Sequence, residues 1–117
     1  MTQIPKTINE AIDVAVDMLQ SAEKINPNSV IGDKNFNANV HHTFGQSLRN
    51  NWKLWNQESE LHIEFLKRGI FHPDDMSSII IQTAQYRLQG KENEEQFIDE
   101  LIKSFQSYWE DENETIN

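Results

Sequence analysis

The sequence contains no cysteine among its 117 residues. This absence excludes disulfide bonds, a thiolate zinc site and a cysteine nucleophile. Long apolar runs are also missing, because the longest early one, 11–19, is interrupted by Asp13 and Asp17 and is too short to cross a bilayer. The first residues lack the apolar core of a secretory signal. We therefore expect a cytoplasmic protein that does not insert into a membrane.

Basic residues are scarce relative to acidic ones. The chain has 10 Lys and Arg against 19 Asp and Glu, for a formal net charge of −9. Most of the excess lies in residues 92–114, where nine acids accompany one base, Lys103. Such a polyanionic end repels nucleic acid and anionic membranes and favours a basic protein partner. The alternative interpretation is a solvated helix face followed by a frayed acidic tail.

No stretch alternates apolar and polar residues for long enough to predict a strand. Apolar residues instead recur every three or four positions, which predicts helices over 8–24 and 35–54. A short third helix follows Ser59, and two more occupy the last third of the chain. We expect an all-α fold, an irregular bundle of about five helices. Residues 1–109 form the single domain, and a disordered acidic tail follows at 110–117.

The strongest periodicity is a ladder of large apolar residues spaced by four along the predicted second helix. Its members are Phe36, Val40, Phe44, Leu48 and Trp52, with Trp55 three positions further on. The spacing predicts that these side chains lie on one face and pack into or beside the core. The predicted third helix carries the apolar residues Leu61, Ile63, Phe65 and Leu66.

Local signals mark several helix ends. Thr7–Glu10 and Asn93–Gln96 both have the pattern of a capping box, in which the two side chains cap each other's backbone. Gly69 is predicted to end the third helix in a left-handed conformation. Pro73 suits the first position of the fourth helix, which Gly90 ends.

Candidate ligand-binding residues lie at the border between core and water. His41, Gly45 and Arg49 are spaced by four, and Gly45 would let a second backbone approach closely. In one interpretation Arg49 clamps an anion in a cleft, with a carboxylate and a histidine for acid–base chemistry. In the other, ion pairs between Arg49 and the acids of the fourth helix only fix helix packing. The predicted ligand-binding residues are His41, Arg49, Asn50, Asp74 and Asp75.

Signatures of catalysis are missing from the sequence. It has no Gly-rich phosphate loop, nucleophile elbow or dinucleotide-binding fingerprint, so we expect no cofactor. No metal site is predicted, because adjacent histidines in a helix point about 100° apart. The leading hypothesis is a non-catalytic interaction module of inhibitor or immunity type. Its predicted partner-binding residues are Glu94, Glu95, Glu100 and Trp109.

Two other hypotheses stay open at this point. One is a small enzyme or anionic-ligand-binding protein that uses the cleft of His41, Arg49, Asp74 and Asp75. The other is self-association through Tyr108 and Trp109. The sequence does not determine the oligomeric state.

Two motifs together resemble a family of short bacterial proteins known only as a domain of unknown function. The first is a His, a Gly and an Arg-Asn pair before a Trp-rich segment, over His41–Trp55. The second is Gly-Ile-Phe-His-Pro-Asp-Asp-Met-Ser, over Gly69–Ser77. The resemblance extends over roughly Thr7–Gly90. It implies a helical fold, a bacterial or phage origin and one common arrangement of the candidate ligand-binding residues, but no activity.

Overall fold

The computed structural model describes the backbone of residues 4–25 and 44–116, and the side chains of residues 4–21 and 44–108. Phe36, Val40 and His41 therefore lie outside the described residues. So do the loop predicted after the first helix and the start of the predicted second helix.

The described residues form five helices and no strand. They are α1 (Ile8–Ile25), α2 (44–51), α3 (Glu60–Lys67), α4 (Pro73–Leu88) and α5 (Glu94–Ile116). Helix α4 packs against both α1 and α5, and α3 packs against α1. This architecture confirms the predicted all-α irregular bundle.

Helix α4 is the centre of the bundle. Ile79, Ile80 and Ile81 are all fully buried. Because consecutive helical residues point about 100° apart, three buried neighbours require cover on more than one side. Helix α1 contributes Ile8, Ala11, Ile12, Ala15 and Leu19 to this core, and α5 contributes Ile98 and Ile102.

The first helix begins with the predicted capping box. The Thr7 hydroxyl accepts a hydrogen bond from the Glu10 N–H at 3.1 Å. The Glu10 carboxylate reaches back one residue further than expected and accepts from the Lys6 N–H at 2.9 Å. Glu64 of α3 accepts from the Ile8 N–H at 3.0 Å. Two of the N–H groups that a helix start leaves without partners, those of Ile8 and Glu10, are thereby satisfied.

Helix α2 ends before the predicted Leu54. Lys53 has a φ of 51°, and the Leu54 N–H donates to the Arg49 carbonyl at 3.1 Å, a bond typical of a left-handed helix end. This turn places Leu54 in the core, whereas Trp55 is 59% exposed. The inward position of Leu48 and Trp52 is confirmed, but core packing of Trp55 is wrong, because Trp55 lies beyond the end of the helix.

Helix α3 ends at Gly69 as predicted. Gly69 has a φ of 86°, and the Ile70 N–H donates to the Phe65 carbonyl at 2.9 Å. Only two of the four apolar residues of this helix lie in the core. Leu61 and Phe65 are fully buried, whereas Ile63 and Leu66 are 38% and 43% exposed.

A buried histidine completes the inner face of α3. His62 is 4% exposed, and its Nδ1 lies 2.5 Å from the Leu54 carbonyl oxygen. The imidazole therefore ties α3 to the turn that ends α2. Sequence reasoning did not assign this residue to the core.

Helix α5 differs from its predicted form at both ends. The capping box predicted at its start, Asn93–Gln96, is not formed. The Gln96 amide donates to Glu100 at 3.3 Å, and Asn93 takes a positive φ of 64°. The helix continues to Ile116, through the segment for which the sequence predicted a disordered tail. The division into a domain and a tail at residue 109 stays a prediction.

Thr83 gives a prediction about stability. Its side chain is fully buried, and its hydroxyl has no hydrogen-bond partner among the described residues. Thr83→Val is expected to raise the free energy of unfolding by about 1 kcal/mol, because it removes a desolvated polar group and keeps the shape. Urea unfolding followed by circular dichroism measures the change.

The matched control is Thr7→Val. The Thr7 hydroxyl caps α1, so the same substitution there is expected to lower stability by about 1 kcal/mol. Equal effects at both positions would contradict the assignment of Thr83 as an unsatisfied group.

Candidate functional site

Arg49 connects α2 to the first turn of α4. Its Nε lies 3.2 Å from Asp74 Oδ1, and its Nη1 donates to the Ser77 hydroxyl at 3.1 Å. The Ser77 hydroxyl in turn donates to the Asp74 carbonyl at 3.0 Å. The structure thus brings together two of the predicted site residues, Arg49 and Asp74, as partners of each other.

Gly45 makes room for this guanidinium. A Cβ at Gly45 would lie 3.1 Å from Arg49 Nη1 and 3.5 Å from the Ser77 Oγ. The sequence predicted that Gly45 lets a second backbone approach, and that is wrong. The groups that approach are side chains, that of Arg49 from its own helix and those of Ser77 and Ile81 from α4.

His72 caps α4 immediately before Pro73. Its Nδ1 accepts a hydrogen bond from the Asp74 N–H at 3.2 Å, which requires an imidazole without a proton on Nδ1. The Asp74 carboxylate lies 3.8 Å from the same nitrogen. Asp74 therefore stands between a cation and an imidazole. Sequence reasoning used the Pro and Asp residues as start signals but gave His72 no role.

The remaining predicted ligand-binding residues are dispersed. Asn50 is exposed on α2, and His41 is outside the described residues. Asp75 is half-buried and lines a groove of about 490 Å³. The groove is formed by His72, Asp74, Asp75, Ser104, Phe105 and Tyr108. Because two carboxylates line it and Arg49 does not, it suits a cationic group better than the anion that the sequence suggested.

The described residues contain neither a group of metal-binding side chains nor a membrane-spanning helix. Among the side chains of residues 4–21 and 44–108, no three His, Asp or Glu are grouped so that they could hold a metal ion. In the same part of the chain, no helix combines the length and the apolarity needed to span a bilayer.

A second polar cluster is centred on Arg87, near the end of α4. Its Nε and Nη2 donate to the two oxygens of Glu94 at 2.8 Å each, and its Nη1 donates to Asp13 at 2.5 Å. Hydrogen bonding to Glu94, opposed in part by burial, raises the pKa of Arg87 above its ordinary value. The guanidinium is therefore a permanent cation. It fastens α1 and α5 to α4, and we call this cluster the Arg87 junction.

The Arg87 junction joins acidic residues of two helices into one surface. Glu10, Asp13 and Asp17 are exposed on α1 at spacings of three and four, which places them on one side of the helix. Glu94 begins α5 and shares Arg87 with Asp13, and the exposed Glu95 follows it in the chain. We call these five residues the α1/α5 acidic surface. In the sequence, Asp13 and Asp17 only interrupted the apolar run of the first helix, and nothing connected them with α5.

The predicted partner-binding residues have different surroundings. Glu94 is three-quarters buried and its charge is balanced by Arg87. Glu95 is exposed, and Glu100 is exposed while accepting from Gln96. The side chain of Trp109 is outside the described residues.

The fold and these two clusters define a small all-helical domain whose helices are connected by ion pairs around an apolar core. Residues 4–88 match the model of a domain of unknown function, DUF6794. The chain belongs to this family, which confirms the expected membership of a family known only as a domain of unknown function. The match begins just before α1 and ends at the last residue of α4. No curated protein and no solved structure shows significant similarity to the chain.

Proposed function

We propose that this chain is a non-catalytic interaction module that binds a basic protein through the α1/α5 acidic surface. The observation that carries the proposal is the Arg87 junction, which holds Asp13 of α1 and Glu94 of α5 on one guanidinium. The neighbouring acids thereby form one patch instead of two separate helix faces. A patch of one sign steers an oppositely charged partner during encounter.

The biological role and the cellular location of this interaction are part of the proposal. A small acidic binder of a basic protein fits an inhibitor or immunity-like role, for example against a nucleic-acid-binding protein, because acids compete with phosphates for the same basic residues. We place it in the bacterial cytoplasm. Cell fractionation of the source organism tests the location.

The internal pairing of Arg49 supports a non-catalytic role. The charge that would clamp an anionic substrate is bound to Asp74 and Ser77. A ligand anion would have to replace a carboxylate that is already in place, which reduces its net gain.

The experiment is affinity capture at low salt, followed by binding measurements on the captured protein. We expect a basic partner whose affinity falls steeply as salt rises. In the variant Asp17→Asn/Glu95→Gln, affinity is expected to fall roughly tenfold, since each exposed interfacial charge contributes about 0.5–1 kcal/mol.

The matched control is Glu58→Gln/Glu60→Gln. It changes the net charge by the same amount, and both residues are exposed near the start of α3. We expect this control to bind within about twofold of the wild type. Equal losses in the two variants, or binding that ignores salt, would refute the proposal.

The second candidate is a small enzyme or anionic-ligand-binding protein that uses His41, Arg49, Asp74 and Asp75. The observation that favours it is that Arg49 keeps 25% of its side chain exposed beside Asp74. Calorimetric titration with inorganic phosphate and citrate tests it. Binding that Arg49→Ala abolishes without loss of stability would favour this candidate over the interaction module.

A further inference from the structure

Helix α5 runs antiparallel to α4 along one side of the bundle. Near its start, Glu94 meets Arg87 at the end of α4. Further along, Phe105 and Tyr108 line the same groove as His72 and Asp75, which lie at the start of α4. The whole length of α4 therefore faces α5.

Helix α5 packs on the bundle through an apolar strip of its own residues, with basic residues of α4 and α3 at the rim. Phe97 of α5 stacks on Tyr86 of α4 with ring centroids 4.0 Å apart, and Ile98 and Ile102 of α5 are buried in the core. At the rim, Arg68 Nη2 lies 2.5 Å from Asp99 Oδ1, on the α3 side of the strip.

A glycine lets α5 approach the end of α3. The Gln106 amide donates to the Arg68 carbonyl at 3.2 Å, and a Cβ on Gly69 would lie 2.1 Å from that amide nitrogen. Together with Arg87, these contacts make the surface complementary to an acidic amphipathic helix, which is the chemistry of α5.

Helix α5 is attached to the rest of the domain through an exposed linker. The family match ends at Leu88, and residues 89–93 are all exposed. Gly90 and Asn93 have φ values of 74° and 64°, and nothing lies within 4 Å of the position of a Cβ on Gly90. Backbone hydrogen bonds hold its two ends, from the Gln89 N–H to the Gln85 carbonyl and from the Phe97 N–H to the Asn93 carbonyl. The side-chain contacts of the linker are with Tyr86, whose hydroxyl donates to the Glu92 carbonyl and whose ring lies under Lys91.

We infer that α5 is exchangeable, so that the groove formed by α4 and the end of α3 accepts the α5 helix of a second copy of this chain. Both arrangements make the same contacts, and only the path of residues 89–93 differs, as in other domain-swapped dimers. The chain's own α5 has the advantage of a high effective concentration. Exchange therefore becomes dominant when docking within one chain is weakened and docking between chains is not.

Two charge-reversal variants create that situation. In Arg87→Glu the introduced carboxylate faces Asp13 and Glu94, and in Glu94→Arg the introduced guanidinium faces Arg87. Neither variant pairs well with its own α5 or with a second copy of itself. When they are mixed, each groove meets a complementary α5 from the other chain. Size-exclusion chromatography with light scattering is expected to show the mass rising from that of one chain, 13.7 kDa, to twice that value.

The control is the double variant Arg87→Glu/Glu94→Arg, which restores the pair within one chain and is expected to have the mass of the wild type. Native mass spectrometry of the mixture should show a one-to-one heterodimer. A mixture that keeps the mass of its separate components overturns the inference.

A measurement on the wild type covers the case in which a single variant does not fold. The inference requires α5 to open while α1 and α4 stay folded. In hydrogen exchange, amides of residues 97–108 are expected to exchange at least tenfold faster than those of 79–84. Equal protection of the two segments, which would show opening only by global unfolding, overturns the inference even if the variants are unstable.

Discussion

Gly69→Ala is expected to lower the free energy of unfolding by about 2–3 kcal/mol. Gly69 has a φ of 86°, and an L residue in this region pays about 1–2 kcal/mol. The added Cβ would also lie 2.1 Å from Gln106 Nε2. The amide must move, and its hydrogen bond to the Arg68 carbonyl contributes about 1 kcal/mol. Urea unfolding at neutral pH measures the sum.

A double-mutant cycle with Gln106→Ala separates the two contributions. In that background the side chain that clashes is absent, so Gly69→Ala is expected to cost only the backbone term, about 1–2 kcal/mol. An unchanged cost in both backgrounds would mean that the close approach of α5 to α3 contributes nothing.

Phe65→Ala is expected to have the largest effect, a loss of about 3–5 kcal/mol of unfolding free energy. Phe65 is fully buried and lies in the last turn of α3. Removing its ring leaves a cavity between α3 and the rest of the core. Because small domains have only about 5–15 kcal/mol of stability, thermal denaturation should show a much lower midpoint.

Leu66→Ala is the control for that substitution. Leu66 follows Phe65 in the same helix but is 43% exposed, so its truncation is expected to cost less than about 1 kcal/mol. If the two variants were equally unstable, the burial assigned to the two faces of α3 would be wrong.

Local signals in the sequence predicted a helix end correctly where a single residue caps the helix or takes the backbone conformation that ends it. Thr7 caps α1, and Gly69 ends α3 in the left-handed conformation that its neighbours require. Apolar spacing identified the helices and the all-α fold. It failed at Trp55, because spacing shows that a residue can belong to an apolar face but not where the helix ends.

Contacts between distant residues could not be predicted from the sequence. Arg87 and Asp13 are 74 positions apart, and no local pattern pairs them. The pairing of Arg49 with Asp74 was anticipated only because both residues stood out in short motifs. His62 was missed for a related reason, since its buried hydrogen bond to Leu54 depends on how α3 packs against the turn after α2.

The most direct test of the proposed function is an NMR titration of the ¹⁵N-labelled chain with the captured basic partner, in which the amide chemical shifts are measured at each step. If the partner binds the α1/α5 acidic surface, the largest shift changes are expected at Asp13, Asp17 and Glu95. These shift changes are expected to disappear at high salt. Changes confined to the groove at His72 and Asp75, with the α1/α5 acidic surface unaffected, would contradict it.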